Sequence, residues 1–119
     1  MAQHNELGSW GERKAAEYLL SQGFEILETN WRYGHAEIDI IAREGDMLVV
    51  VEVKTRHTDL FGEPQNAVGK KKIRLLMEAV NAYVDQKKID SEIRFDIVSI
   101  IKNQYREEIE HIRDAFYWF

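Results

Sequence analysis

The sequence predicts an α/β fold: one mixed β-sheet with helices packed on its faces. Three observations carry that prediction. Apolar residues recur at helical spacing in two segments and alternate or run together in five shorter ones. The order is helix, three strands, helix, two strands, which suits a layered mixed sheet. Gly45-Asp46 also stands between the two most apolar runs, a two-residue hairpin signal.

The first helix opens at Ser9-Trp10-Gly11-Glu12, whose spacing reads as a capping box with Ser9 as the cap. Ala15, Ala16, Leu19 and Leu20 form its apolar stripe, and Gly23 is placed to end it. Phe24 to Trp31 reads as a strand, followed by a Tyr33-Gly34-His35 turn. The central hairpin pairs Ala36 to Ala42 with Leu48 to Lys54. Thr55 to Asn66 is a loop holding Gly62 and the single proline, Pro64. A second helix runs from about Lys70 to Gln86, with Ile73, Leu76, Met77, Val80, Tyr83 and Val84 at helical spacing. Ile93 to Ile101 and Tyr105 to Ile112 are the last two strands, joined by a turn at Lys102-Asn103-Gln104.

Composition bounds the function. At 119 residues the chain is expected to be one domain, 1–119, with a substantial core. With no cysteine it has no disulfide, thiolate zinc site or cysteine nucleophile, which fits a cytoplasmic location. The N-terminus lacks a signal-peptide pattern, and no apolar stretch is long enough for a membrane span. A net charge of −5 argues mildly against non-specific nucleic-acid binding. Locally the balance reverses: from Lys54 to Arg74 stand Lys54, Arg56, Lys70, Lys71, Lys72 and Arg74 against Asp59 and Glu63.

The chemistry lies in charges set inside the apolar hairpin, where burial is costly. With Gly45-Asp46 as the turn, Glu44 faces Met47. Counting along the ladder sets Asp39 opposite Glu52 and Glu37 opposite Lys54. Two carboxylates face to face repel, and a divalent cation between them would reverse that sign. Such a pair suits a hard, oxygen-seeking cation such as Mg²⁺, with the Val53 carbonyl as a further oxygen. Lys54 would orient a water or stabilise charge on a phosphate; the plainer reading is a salt bridge to Glu37 or Glu52. Glu12 is either the capping-box glutamate or, sharing a helical face with Ala16 and Leu19, an acid directed at the sheet. Arg56, Lys70, Lys71, Lys72 and Arg74 are candidate phosphate contacts, although Lys71 and Lys72 read more simply as a solvated helix face. Gln65 is a weaker candidate to hold a water or phosphate. His4, His35, His57 and His111 show no metal-ligand spacing and read as surface or turn residues. Asp96 is assigned no catalysis, only a pairing with Arg94 or a helix residue. The aromatic end, Ala115 to Phe119, reads as docking on its own domain.

Asp39, then Glu52-Val53-Lys54, with Glu12 upstream, resembles the PD-(D/E)XK nuclease superfamily. More narrowly, the chain resembles the YraN-like family of small bacterial proteins, which are similar to archaeal Holliday-junction resolvases. The matching pieces include Leu7-Gly8, Gly11-Glu12, Asn30-Trp31-Arg32, Glu37 to Ala42, Val51 to Arg56 and Arg94 to Val98. The turn before Glu37 reads Gly34-His35-Ala36 where a smaller, glycine-rich turn is usual. The resemblance implies a restriction-endonuclease-like core and a divalent metal, Mg²⁺ or Mn²⁺, held by Asp39 and Glu52. It implies Lys54 and Glu12 as further catalytic groups, and DNA, branched or flapped forms among it, as substrate. A possible homodimer would fit a resolvase, which cuts two strands symmetrically. Two rival functions are a nucleic-acid-binding module without turnover and a protein-interaction domain using the aromatic C-terminus.

Overall fold

The computed structural model describes residues 6–58 and 69–115. Its element order is α1 (Glu6–Ser21), β1 (Glu25–Tyr33), β2 (Ala36–Glu44), β3 (Met47–Arg56), α2 (Lys70–Lys87), β4 (Ile93–Lys102) and β5 (Glu107–Ile112). The five strands form one sheet in chain order. β3 and β4 are parallel, joined across α2, and every other neighbouring pair is antiparallel. This is the mixed sheet with helices on its faces that the sequence predicts.

The two helices cover opposite faces. Ala15 and Leu19 of α1 pack with Ile40, Ala42, Val49, Val51, Val98 and Ile100. Leu76, Met77, Ala79, Val80 and Tyr83 of α2 pack with Ile38, Ile41, Leu48, Val50 and Phe95. β3 therefore sends Leu48 and Val50 to one helix and Val49 and Val51 to the other. A strand buried on both faces has no polar alternation, which explains its unbroken apolar run. Leu20, counted in the α1 stripe, is instead 57% exposed.

Local chemistry fixes the ends. Gly45 has φ +59 and Glu44 pairs with Met47, so Gly45-Asp46 is the expected two-residue turn. Gly23, at φ +92, ends α1, and the Phe24 amide donates back to the Leu19 carbonyl. The N-terminal expectation is corrected. α1 already runs from Glu6, so Ser9 lies inside the helix and caps nothing. Gly11 is required for contact rather than for a turn. A Cβ there would lie 2.9 Å from the Thr55 Cβ, so its hydrogen lets α1 settle on β3. Among the described residues, no helix is long and apolar enough to cross a membrane.

Candidate active site

The sheet opens into a fork where the sequence sets its two central carboxylates face to face. The β2–β3 ladder runs from Glu44↔Met47 to Ile40↔Val51 and stops there. The next rung would pair Asp39 with Glu52. Beyond that point β2 continues to pair with β1 as far as Tyr33↔Ala36, and β3 with β4 as far as Arg56↔Ile101. Mutual repulsion of directly opposed carboxylates is a sufficient reason for the ladder to end at this rung. The expected Glu37–Lys54 pairing is lost with it, and Glu37 bonds instead with Arg32 on β1, at 3.3 Å.

β2 also breaks its own alternation here. Ile38 packs on the α2 face and Ile40 on the α1 face, although residues two apart in a regular strand share a face. On β1, the rung opposite Asp39 is missing too, and the residue there, Asn30, has φ +52. Asparagine tolerates that left-handed conformation better than most residues. The backbone thus turns at Asp39 on both sides of β2.

Inside the fork, the Val53 amide donates to Asp39 Oδ2 at 2.8 Å. Glu52 is buried, with its side chain only 4% exposed, on the face toward α2. Its Oε2 lies 2.7 Å from Lys72 Nζ and 3.5 Å from Lys54 Nζ. Its Oε1 is buried and accepts no hydrogen bond from any of the described residues. Burial pushes the Asp39 carboxyl up to about 7, helped by the negative charges of Glu52 and Glu12. The Val53 amide and the Lys72 ammonium oppose that shift without overcoming it. Burial also draws the Lys72 ammonium down, but its bond to Glu52 and the charges of Glu52, Asp39 and Glu37 outweigh this and raise it.

Asp39 and Lys72 line a cleft of about 500 Å³ together with His35, Glu37, Gly69 and Lys71. Glu12 lines a smaller hollow nearby, of about 280 Å³, with Ser9, Thr29 and Asn30. Freed from capping, it is near enough to Asp39 for its charge to be felt. Lys70, Lys71 and Arg74 are exposed on α2. Three lysines at a helix N-terminus oppose the helix dipole and weaken the helix, but they make the mouth of the cleft positive. Arg56 is half-buried at the end of β3. Gln65 and the aromatic residues Phe116 to Phe119 lie outside the described residues.

The donor set fits a magnesium-like ion better than a calcium-like one. Among the described residues, no three Asp, Glu, His or Cys side chains converge on one point. Mg²⁺ commonly takes one or two carboxylates and completes its octahedron with water and phosphate. Asp39 with Glu52, whose Oε1 is desolvated without a donor, and the Val53 carbonyl would supply such a set.

Two site features are not in the sequence reading. Lys72 turns inward, contrary to its reading as part of a solvated face. The signal was available: it precedes the half-buried Leu75 and the buried Leu76 by three and four residues, so it shares their side of the helix. His111 is not a surface residue either, its side chain being 4% exposed. It bonds Asp96 Oδ2 at 2.7 Å and the Tyr18 hydroxyl at 3.0 Å. Asp96 pairs with Arg94 as expected, through two 2.8 Å bonds.

Residues 11–100 match the family described as "Uncharacterised protein family UPF0102". The chain is 55% identical over 119 residues to a UPF0102 protein of Christiangramia forsetii, covering 100% of both. It is 49% identical over 117 residues to a UPF0102 protein of Parabacteroides distasonis, covering 98% of this chain and 97% of the relative. A looser likeness joins it to the solved structure of Pyrococcus furiosus SfsA in complex with Ca²⁺. That match has 13% identity and a TM-score of 0.37, and spans 88% of this chain and 63% of that one.

Proposed function

This chain belongs to the uncharacterised protein family UPF0102, the YraN-like family, and we propose that it is a metal-dependent endonuclease acting on DNA, with branched or flapped forms as the first substrates to test. The observation that carries the proposal is the fork itself. Asp39 and Glu52 meet there with two lysines beside them and one buried carboxylate oxygen that has no partner among the described residues. A structural ion pair would satisfy both oxygens; leaving one bare costs roughly 1–3 kcal/mol. That cost is accounted for if the oxygen is kept for a ligand.

Asp39, Glu52 and the Val53 carbonyl would hold Mg²⁺ or Mn²⁺. Such an ion polarises a phosphate oxygen and lowers the pKa of an attacking water. The remaining work falls to the chain. Lys54, 3.5 Å from Glu52, orients the water or meets the charge that builds on phosphorus. Glu12 adds a carboxylate on the α1 side. Arg56, Lys70 and Arg74 hold the phosphate backbone, with Gln65 a further contact. A cytoplasmic location belongs to this reading, as does a homodimer if both strands of a junction are cut.

The test is a cleavage assay on labelled single-stranded, duplex, flap and four-way-junction DNA, in Mg²⁺, in Mn²⁺ and in EDTA. Cutting that needs the metal and disappears in the Asp39→Ala/Glu52→Ala double variant is the expected result. A second reading, binding without turnover, draws on the exposed Lys70, Lys71 and Arg74. It predicts salt-sensitive binding with no product in any metal, and binding that survives Asp39→Ala.

A further inference from the structure

We infer that Lys72 is the built-in counter-ion of the carboxylate pair, displaced from Glu52 when a divalent cation binds and thereby freed to meet a substrate phosphate. The inference rests on the metal-dependent reading above and adds a residue and an order of events to it.

The two oxygens of Glu52 are treated unequally: Oε2 lies against two ammonium groups, while Oε1 accepts nothing from the described residues. The shorter contact, 2.7 Å, comes from Lys72 on α2, not from Lys54 on the same strand at 3.5 Å. Glu12 and Glu37 add negative charge around the pair, so the cleft as a whole can accept a divalent cation. On Glu52 itself, however, that cation and the two ammoniums compete for one carboxylate, and like charges in a partly desolvated cleft repel strongly. The ammonium that can move away is the one displaced. Lys54 is the more enclosed, 27% exposed and tied to the strand that carries Glu52. Lys72 is 43% exposed, lines the open cleft and has a flexible four-carbon stem. It is the group that can leave. A phosphodiester entering the same cleft then pairs with it. Cation and phosphate binding therefore reinforce each other, and by linkage each raises the affinity of the other.

Direct titration of Mn²⁺ without DNA, read by calorimetry and by the paramagnetic resonance of the free ion, tests this. Lys72→Met removes the competing charge and keeps the stem. It is expected to bind Mn²⁺ roughly three- to tenfold more tightly than the unaltered protein, a range limited by the partial exposure of the ammonium. Lys72→Arg keeps a cation on Glu52 and should stay near the unaltered value. Lys87→Met, at the far end of α2, removes the same charge away from the site and should also change little. With DNA present the order inverts, and Lys72→Met should bind DNA less tightly in Mn²⁺. Equal Mn²⁺ affinity for Lys72→Met and the unaltered protein, with Asp39→Ala still abolishing binding, would overturn the role of Lys72 and leave the metal site standing. Equal gains in Lys72→Met and Lys87→Met would also overturn it, since the effect would then be one of net charge. Absence of Mn²⁺ binding in every variant would overturn both the role and the metal site beneath it.

Discussion

Two carboxylates set in the same sheet, the half-buried Asp39 and the buried Asp96, have opposite fates. Asp96 is 0% exposed on the α1 face and fully engaged. It takes two bonds from Arg94, one contact from His111 Nε2 and one from the Asp114 amide at 3.0 Å. Burial alone would push it up, but His111, Arg94 and the Asp114 amide outweigh burial and hold it down at about 2. Arg94 also bonds Glu44, which in turn takes Arg113, so the network ties β2, β4 and the segment after β5 together. Asp39 is pushed up to about 7: burial raises it, Glu52 and Glu12 raise it further, and the Val53 amide and the Lys72 ammonium do not make up the difference. The difference separates two uses of a buried acid. A carboxylate that the fold satisfies holds elements in place; one left in want of positive charge is held for something that arrives.

The sharpest way to break the comparison is the double variant Asp39→Ala/Glu52→Ala. Metal-dependent cleavage should fall by at least about a thousandfold while the protein stays folded. Retained cleavage would mean the fork is not the active site. Asp96→Asn tests the other side. It strips a carboxylate from Arg94 and His111 and should cost about 3 kcal/mol in urea unfolding, the usual scale for breaking a buried pair. A cost below about 1 kcal/mol would show that the network is ornamental to stability.

The two acids also move stability with pH in opposite senses. For Asp96, with its folded pKa lowered, the stabilisation is present above about 4 and is lost as pH falls towards about 2. For Asp39, with its folded pKa raised, stability is lost as pH rises from about 4 to about 7, because the folded state holds its proton longer. Asp39→Asn removes that loss. It should stabilise the protein by about 2 kcal/mol at about pH 8, with little effect at about pH 4, while abolishing Mn²⁺ binding. Unfolding curves of the two proteins at both pH values read this directly, and equal stability at about pH 8 would count against strain at the fork. The smallest effect concerns α1, which serves both acids: Glu12 acts on Asp39, and Tyr18 holds His111. Gly11→Ala ordinarily strengthens a helix by up to about 1 kcal/mol. Here the new methyl meets Thr55, so a net loss of about 1 kcal/mol is expected by thermal unfolding.

The sequence makes the site's register legible because the turn and the alternation agree. Gly45-Asp46 fixes Glu44 against Met47, and five rungs later the count reaches Asp39 and Glu52. Counting gives the opposed carboxylates, whose repulsion is a reason for the rung to stay open, but not that β2 then follows β1 while β3 follows β4. Arg94, two residues away on the same strand, is a legible partner of Asp96, but His111 is beyond reach for a related reason. Tyr18 and His111 lie 93 positions apart, and a histidine in an acidic strand carries no local mark of burial. The capping box was legible but misleading, because Ser-x-x-Glu occurs inside helices as well as at their starts.

The fork has a mechanical consequence. A closed antiparallel rung sets the spacing of facing residues at about 4.5–5.5 Å. Asp39 and Glu52 hang instead from two leaves, one ending in β1 and the other in β4 and β5, joined at the Gly45-Asp46 turn and the five rungs beside it. Their bite is set by the angle between those leaves, as in a pair of tweezers. A change of a few tenths of an ångström, the difference between magnesium and larger ions, is met by a slight tilt of strands rather than by a shift in register.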